Sequence, residues 1–230
     1  EFRYMGKYLW IKSDFPPDKI SEIMAEISCS KAIAVYLAAR KIWKKDEIEK
    51  YFNPSLSTLE DPFALPGVEK ASERIWKAVR NKERILIFGD YDTDGVTASA
   101  LLYCVLQAHG ASVSCFLPHR FDDGYGMTAE SLDKALSLSS CSLIITVDCG
   151  ISAFDAISSA SAKGIDVIIS DHHHPDGENL PPALAVINPK QHGDLYPDKD
   201  LAGVGIAYKI TEALLSNEKQ ETSNEKKPSL

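Results

Sequence analysis

The fold of this 230-residue chain follows from one stretch, Ile85-Leu-Ile-Phe-Gly-Asp-Tyr-Asp-Thr-Asp-Gly95. Its apolar first half predicts a buried β-strand, which runs into a glycine and then into aspartates at alternate positions. Asp90, Asp92 and Asp94 cannot all ionise in a sheltered place unless a cation neutralises them. Carboxylate oxygens suit Mg²⁺ and Mn²⁺, so the stretch is a candidate metal loop. A solvated acidic turn is the alternative, because Asp and Gly also form turns.

The sequence after Gly67 alternates short apolar runs with amphipathic segments. The apolar runs predict strands at residues 84–88, 112–116, 143–147, 166–169 and 185–187. The segments around them predict helices at about 68–79 and 96–108, one opened by Thr128, one capped by Ser152, and one at 205–215. Such alternation is typical of an α/β domain with a doubly wound, mostly parallel sheet.

The remaining segments predict two further parts of the chain. Residues 1–67 combine apolar residues at helical spacing with a proline-containing stretch, which indicates an N-terminal helical arm and linker. The α/β domain is expected over residues 68–215. Residues 216–230 contain almost no apolar side chains, and we expect a disordered tail there.

Composition places limits on the function. The content of 44% hydrophobic and 25% charged residues is ordinary for a globular protein, and no apolar run reaches the roughly 18 residues of a membrane span. Five cysteines without C-x-x-C spacing indicate neither a disulfide framework nor a zinc site, so we expect a cytoplasmic protein. A net charge of −8 argues against non-specific coating of nucleic acid, but it is compatible with a nuclease whose metal site is acidic.

Polar residues follow three of the predicted strands. The first strand ends in the aspartate loop, the strand at 143–147 is followed by Asp148, and the strand at 166–170 is followed by Asp171-His-His-His174. In a parallel sheet, ligands bind beyond the carboxyl ends of the strands. Three such ends that present carboxylates or imidazoles predict one shared site rather than a set of turns.

A phosphatase with a covalent nucleophile is a competing interpretation. Asp92-Thr-Asp-Gly95 resembles the D-x-D-G loop of haloacid-dehalogenase-like phosphatases, whose first aspartate is the nucleophile. Those enzymes also need a Ser or Thr after a later strand, a lysine and a late acidic pair. Here the later strands end in Asp148 and a histidine cluster, which disfavours this interpretation.

Three motifs together resemble those of the DHH phosphoesterases: Gly89-Asp-Tyr-Asp-Thr-Asp-Gly95, Val147-Asp-Cys-Gly150 and Ser170-Asp-His-His173. Neighbouring stretches agree with the same family, namely Phe52-Asn-Pro-Ser-Leu56, Arg120-Phe-Asp-Asp-Gly-Tyr-Gly126, Ile187-Asn-Pro-Lys190 and Leu201-Ala-Gly-Val-Gly205. The resemblance runs from about Trp10 to Leu215 and is strongest to the bacterial exonucleases of the family that are specific for single strands.

The resemblance implies a site with two ions, Mn²⁺ or Mg²⁺. Asp92 and Asp94 would hold one ion each, Asp148 would bridge both, and His172 would complete one site. Asp90 would be a further ligand or a partner of one. Two dications about 4 Å apart generate hydroxide and stabilise both the entering and the leaving oxygen, so no covalent nucleophile is needed. The catalytic set implied by the resemblance is Asp148, His172 and His173.

Four residues are expected to support the ligands or the substrate. Asp171 fits as the carboxylate that orients an imidazole, and His173 would lie near the scissile phosphate. Arg120 follows a strand at the same edge and is assigned to phosphate binding, with an ion pair to a neighbouring aspartate as the alternative. Tyr125 is a candidate for stacking on a base, with a role as loop anchor as the alternative.

Two neighbouring features are interpreted as structural. Cys149 is read as a small packed residue rather than a nucleophile. Gly203 and Gly205 are read as positions of close helix packing, because no G-x-G-x-x-G is present.

The activity implied by the resemblance is 5′→3′ hydrolysis of single-stranded DNA in repair and recombination. Its implied partners are a single-strand-binding protein and a RecQ-type helicase. A small-substrate hydrolase acting on cyclic dinucleotides, short oligonucleotides or pyrophosphate stays open, as does a non-catalytic scaffold. The family's fourth motif, with another aspartate ligand, is expected soon after Leu215 and is missing. We therefore expect an N-terminal fragment with an incomplete site and weak or no activity of its own.

Overall fold

The computed structural model describes residues 2–5, 8–11, 15–121, 124 and 126–225. It divides the chain into two units, Glu1–Leu59 and Glu60–Leu230. The first unit contains an antiparallel pair of strands and three helices, followed by a 3₁₀ turn at Leu56–Thr58. The strands are β1 (Phe2–Met5) and β2 (Tyr8–Ile11), and the helices are α1 (Pro17–Ile27), α2 (Lys31–Ala39) and α3 (Lys45–Phe52).

The helices of the first unit enclose a small core of their own. Ile23, Leu37 and Ile48, one from each helix, are almost fully buried in it. The three helices lie within the residues 1–67 expected to form an arm and linker, and the strand pair β1–β2 was not predicted. The boundary also lies earlier than residue 67, because Leu65 of the linker is 1% exposed and packs in the core of the second unit.

The second unit alternates helices with strands, as its sequence predicts. Its helices are α4 (Val68–Arg80), α5 (Thr93–Ala108), α6 (Ala129–Leu138), α7 (Phe154–Ala162) and α8 (Gly203–Glu225), preceded by a 3₁₀ turn at Pro62–Ala64. Its strands are β3 (Arg84–Gly89), β4 (Ser112–Phe116), β5 (Leu143–Val147), β6 (Asp166–Ser170) and β7 (Ala185–Ile187). Every strand predicted from the apolar runs is present within one residue of its expected bounds.

The five strands form one parallel sheet in the order β4-β3-β5-β6-β7. This confirms the predicted fold class. The chain first steps outward from β3 to β4 and then returns across β3 to β5, so the direction of winding reverses between β3 and β5. Ligand sites of open α/β sheets lie outside the carboxyl ends of the strands at such a point.

Successive side chains of the central strands enter two different cores. Ile85 and Ile87 of β3 pack with α4, α5 and α8 on one face of the sheet. Leu86 and Phe88 pack with α6 and α7 on the other face. Burial on both faces explains why β3 and β5 consist mainly of apolar residues on both faces rather than alternating with polar ones.

Three helix boundaries differ from their predictions. α5 begins at Thr93 rather than at about residue 96, because Asp92 caps it. Ser152 does not cap α7, which begins after Ala153 without a side-chain cap, because the preceding turn is held by a hydrogen bond from Ile151 N to Asp171 Oδ2 (2.9 Å). α8 continues to Glu225, although disorder was expected from residue 216 onward. Glu, Lys and Gln propagate a helix that is already nucleated by packing. Residues 226–230 lie outside the described residues. No helix in the described part of the chain is long and apolar enough to cross a membrane.

Candidate metal centre

The loop after β3 is folded tightly around its first aspartate. The Asp90 side chain is buried, and its Oδ1 accepts a hydrogen bond from Tyr91 N (2.7 Å). Burial raises the pKa of Asp90. A Cβ at Gly95 would lie within 2.5–2.8 Å of the Asp90 backbone, so only glycine lets the start of α5 approach this closely. The loop therefore fixes Asp90 at the end of its strand.

Asp92 and Asp94 lie at the start of α5, and their side chains accept hydrogen bonds from the amides of two different helices. Asp92 is the N-cap of α5, and its Oδ1 accepts a hydrogen bond from Gly95 N (3.0 Å). The two oxygens of Asp94 instead accept hydrogen bonds from Gly203 N and Val204 N, both at 2.7 Å. These amides belong to the first turn of α8, more than a hundred residues further along the chain.

Asp148 lies at the end of β5 in an unusual environment. Its backbone has a φ of +60°, which is uncommon for a residue other than glycine, and its side chain is buried. Its Oδ1 accepts no hydrogen bond from the described residues, and His172 Nε2 lies 3.1 Å from it. Burial, followed by repulsion from Asp94 and Asp92, raises the pKa of Asp148 to about 8. A buried carboxylate without a donor is what a bound cation would satisfy.

The end of β6 orients two imidazoles. Asp171 Oδ1 accepts hydrogen bonds from the backbone amides of His172 and His173, and it lies 2.8 Å from His173 Nδ1. Burial by itself would raise the pKa of Asp171, but these hydrogen bonds outweigh it and hold the pKa below its ordinary value. The same contact raises the pKa of His173. Asp171 thus fixes the ring of His173, while His172 Nε2 faces Asp148 and lies 3.6 Å from Asp94 Oδ2.

Two groups of side chains have the spacing of metal ligands. One group is Asp90, Asp92 and Asp148, and the other is Asp148, His172 and His173; within each group the ligand atoms lie within 4.8 Å of one another. Oxygen and imidazole donors suit Mg²⁺ and Mn²⁺. The residues present therefore fit two cations that share Asp148. Asp94 is in neither group but adjoins the second through His172.

The structure brings most of the expected site residues together. Arg120 is exposed, and its guanidinium carbon lies 5.6 Å from the centre of the Tyr91 ring in the aspartate loop, which places it at the same edge of the sheet. Tyr125 lies outside the described residues. The Cys149 thiol is buried, which raises its pKa well above the ordinary value and disfavours a thiolate nucleophile.

Two contributions to the site were not assigned from the sequence. Asn188 is fully buried after β7 and donates a hydrogen bond from Nδ2 to the backbone oxygen of His173 (2.9 Å). Its position at a fourth strand end was the signal that could have identified it. Gly203, at the start of α8, lies close to Asp148. The close helix packing expected at this glycine is therefore a contact with a candidate metal ligand.

A cavity of about 250 Å³ opens beside His173. It is lined mainly by the turn that follows Asp148, from Cys149 to Ala153, together with Met127. Asp171 and His173 thus border a space that a substrate can enter.

Comparison with known proteins agrees with this geometry. The chain is 38% identical over 198 residues to the single-stranded-DNA-specific exonuclease RecJ of Bacillus subtilis, a match that covers 86% of the chain and 25% of that protein. It therefore spans about a quarter of the length of this relative. It also resembles the crystal structure of Thermus thermophilus RecJ in complex with Mn²⁺, with a TM-score of 0.66 and 30% identity over 89% of the chain and 28% of that protein. The Mg²⁺ complex of the same protein matches 89% of the chain and 24% of that protein, with a TM-score of 0.54 and 26% identity.

A family sequence model matches most of the second unit and identifies the family of the chain. The sequence model of the DHH family, N-terminal domain, matches residues 84–229, which include the sheet, the aspartate loop and the histidine cluster. The chain belongs to the DHH family.

Proposed function

We propose that this protein hydrolyses phosphodiester bonds with two Mn²⁺ or Mg²⁺ ions, and that it degrades single-stranded DNA from the 5′ end. The observation that carries the proposal is the buried Oδ1 of Asp148, which lacks a hydrogen bond from the described residues and lies where two ligand groups share one carboxylate. The single-strand specificity of its relative in Bacillus subtilis supports the substrate class. The proposed setting is DNA repair and recombination in the cytoplasm.

We assign one ion to Asp90, Asp92 and Asp148, and the other to Asp148 and His172 with Asp94 as an additional ligand. The mixed set of carboxylates and imidazole favours Mn²⁺ over Mg²⁺. When bound, two such ions supply a water of lowered pKa and positive charge beside the entering and leaving oxygens of the phosphate. The raised pKa of Asp148 means that this carboxyl must release its proton before it can serve as the shared ligand.

His173 is assigned to the scissile phosphate. Because its Nδ1 is bonded to Asp171, Nε2 is the atom through which the ring can contact a phosphate oxygen. The raised pKa of His173 favours the protonated ring, which donates to an anionic oxygen. Asn188 Nδ2 donates a hydrogen bond to the backbone oxygen of His173. This contact restrains the residue, so the ring keeps its orientation when substrate binds.

Arg120 is assigned to a second phosphate of the strand. It is exposed at the carboxyl edge of the sheet, next to Tyr91 of the aspartate loop. A guanidinium there can bind a phosphate with two parallel hydrogen bonds. We keep Tyr125 as the proposed residue for stacking on a base.

A nuclease assay tests the proposal on both the 230-residue chain and the full product of its gene. The substrates are long single-stranded DNA labelled at either end, the matching duplex, a cyclic dinucleotide, a short oligonucleotide and pyrophosphate. With the full product of the gene, we expect 5′-mononucleotides to be released from the long single strand with Mn²⁺ and no release with chelator; with the 230-residue chain we expect weak release or none. Faster hydrolysis of one of the small substrates would overturn the DNA exonuclease in favour of a small-substrate phosphodiesterase, and no hydrolysis of any substrate would favour a scaffold.

The matched variants are Asp148→Asn and Asp133→Asn. Asp133 lies on α6, and its side chain is 63% exposed, so its loss should leave hydrolysis unchanged. For Asp148→Asn we expect hydrolysis to fall more than about 100-fold. Loss of a residue that only orients a metal ligand typically lowers activity about 10- to 100-fold, so a larger fall indicates the loss of a ligand itself. Activity of Asp148→Asn near that of Asp133→Asn would exclude the shared-ligand role.

A further inference from the structure

We propose that the first turn of α8 is a positioning element of the metal centre. In this proposal, the amides of Gly203 and Val204 fix Asp94, and the missing side chain of Gly203 leaves the space that Asp148 occupies. The inference rests on the proposed cation binding but not on the identity of the substrate. It assigns a function to Gly203 and Val204, whose side chains carry no polar group of their own.

The contact with Asp94 uses amides that have no partner within their helix. Gly203 and Val204 are the first two residues of α8, and the first four amides of any α-helix lack an intrahelical acceptor. Each donates to a different oxygen of Asp94 at 2.7 Å, so the carboxylate is held by two points rather than one. A carboxylate held in this way cannot rotate freely, and its Oδ2 is kept 3.6 Å from His172 Nε2.

The contact with Asp148 requires glycine for reasons of space. A Cβ at position 203 would lie 2.7 Å from Oδ1, 2.8 Å from Cβ and 2.9 Å from Cγ of Asp148. These distances are shorter than real Cβ contacts, and two of the three atoms lie near the backbone rather than at a flexible end. Asp148 cannot retreat easily, because its backbone is held at a φ of +60° and its amide donates to Ser170 O (2.9 Å).

α8 is anchored independently of the two aspartates. Ile206, Ala207 and Ile210 are fully buried against the sheet. The ammonium of Lys209, 1% exposed, donates to Glu60 O (2.6 Å) and to Glu212 Oε2 (2.7 Å). The helix is thus a fixed support, and Asp94 is the partner that adapts to it.

The arrangement also lowers the cost of placing several carboxylates together. The amide end of a helix carries partial positive charge, and here it contacts one aspartate and adjoins another. This charge offsets part of the repulsion between Asp94 and Asp148 before any cation binds. The cations then find their carboxylates already oriented, which strengthens binding.

The test compares Gly203→Ala with Gly205→Ala in calorimetric titrations of the 230-residue chain with Mn²⁺. Gly205 lies in the same turn of α8, but a Cβ there would meet a flexible Leu201 methyl at 3.2 Å and nothing closer. We expect Gly205→Ala to bind Mn²⁺ within about twofold of the unsubstituted chain and Gly203→Ala to bind at least tenfold more weakly. Equal affinity of the two variants would overturn the proposal.

A second measurement covers the case in which Gly203→Ala fails to fold. Amide hydrogen exchange is recorded with chelator present, for the unsubstituted chain and for Asp94→Ala. We expect the amides of Gly203 and Val204 to exchange at least tenfold faster in Asp94→Ala, while amides in the middle of α8 are unchanged. Equal exchange in the two proteins would overturn the proposal.

The outcomes separate this inference from the nuclease itself. If the 230-residue chain binds Mn²⁺ and shows the difference between Gly203→Ala and Gly205→Ala, but the full product of the gene cleaves no DNA, only the proposed nuclease is overturned. Cleavage of DNA together with equal Mn²⁺ affinity of the two variants would overturn only the positioning role.

Discussion

Asp148 is the residue at which the structure departs most from what is favourable locally. It combines a positive φ, a buried carboxyl with a pKa of about 8, and an oxygen without a hydrogen bond from the described residues. Each of these features opposes folding, and together they are typical of functional sites. Bound cations remove two of them, since they satisfy the oxygen and stabilise its charge. The residue is thus arranged for the ion-bound state of the protein.

Asp148→Asn should therefore stabilise the protein in the presence of chelator. Because the folded pKa of about 8 exceeds the unfolded value near 4, ionisation opposes folding, and this contribution to stability falls as the pH rises from about 4 to 8. Asparagine has no charge and tolerates a positive φ. We expect the variant to gain on the order of 1–3 kcal/mol relative to the unsubstituted chain at pH 9 and much less at pH 5. Urea unfolding at both pH values measures this, and a gain that is the same at both would show that the Asp148 carboxyl is not the cause.

At the level of helices and strands, the parallel sheet brings together site residues that the local sequence places only at separate strand ends. The runs at 143–147 and 185–187 were predicted correctly because strands that helices cover consist mainly of apolar residues. The start of α7 was misplaced, since Asp171, from the next strand end, determines the turn before it. The strand pair β1–β2 was missed because strands of only 4 residues have weak patterns.

The same limit applies to the site. Asp90, Asp148 and His172 could be predicted to meet, because each lies within two residues of the carboxyl end of a strand of one sheet. The contact of Asp94 with Gly203 could not be predicted, because it joins elements more than a hundred residues apart through backbone amides. Amides have no signature in the sequence, so only the packing of α8 reveals their role.

Arg74 connects α4 to the sheet and provides a prediction at this scale. Its Nε donates to Asp166 Oδ2 at the start of β6, and its Nη2 donates to Glu83 Oε2, both at 2.6 Å, with the Arg74 side chain 11% exposed. We expect Arg74→Ala to lower the free energy of unfolding by about 1–3 kcal/mol, since buried charged hydrogen bonds are lost. Mn²⁺ affinity should not change, because α4 contributes no ligand.

Lys19→Ala is the matched control for Arg74→Ala. Lys19 also pairs with a glutamate, Glu22 at 2.7 Å, but both side chains are at least half exposed. We expect no measurable change in urea unfolding, because exposed ion pairs contribute little to stability. Equal effects of the two substitutions would refute the distinction between the buried and the exposed pair.

For the whole molecule, the excess of acidic residues and the division into two units determine which part of the chain a bound cation stabilises. The chain carries a net charge of −8, and both ligand groups lie in the unit Glu60–Leu230. The carboxylates of this unit repel one another until they are neutralised. Binding to the folded state alone stabilises a protein by an amount that grows with ligand concentration, and a free ligand at 100 times its Kd contributes about 2.7 kcal/mol. The stabilisation should therefore be large and confined to one unit.

Hydrogen exchange with and without Mn²⁺ can resolve this effect along the chain. With Mn²⁺ at 100 times its Kd, we expect the most protected amides of the strands β3, β5 and β6 to exchange about 100-fold more slowly, which corresponds to the 2.7 kcal/mol of binding. Amides of α1, α2 and α3 belong to the other unit and should be unaffected. Asp148→Asn should abolish the slowing in the sheet, while Asp133→Asn should retain it. Slowing of equal size in both units would show that Mn²⁺ acts through general charge screening, because only a specific site distinguishes the unit that holds the ligands from the one that does not.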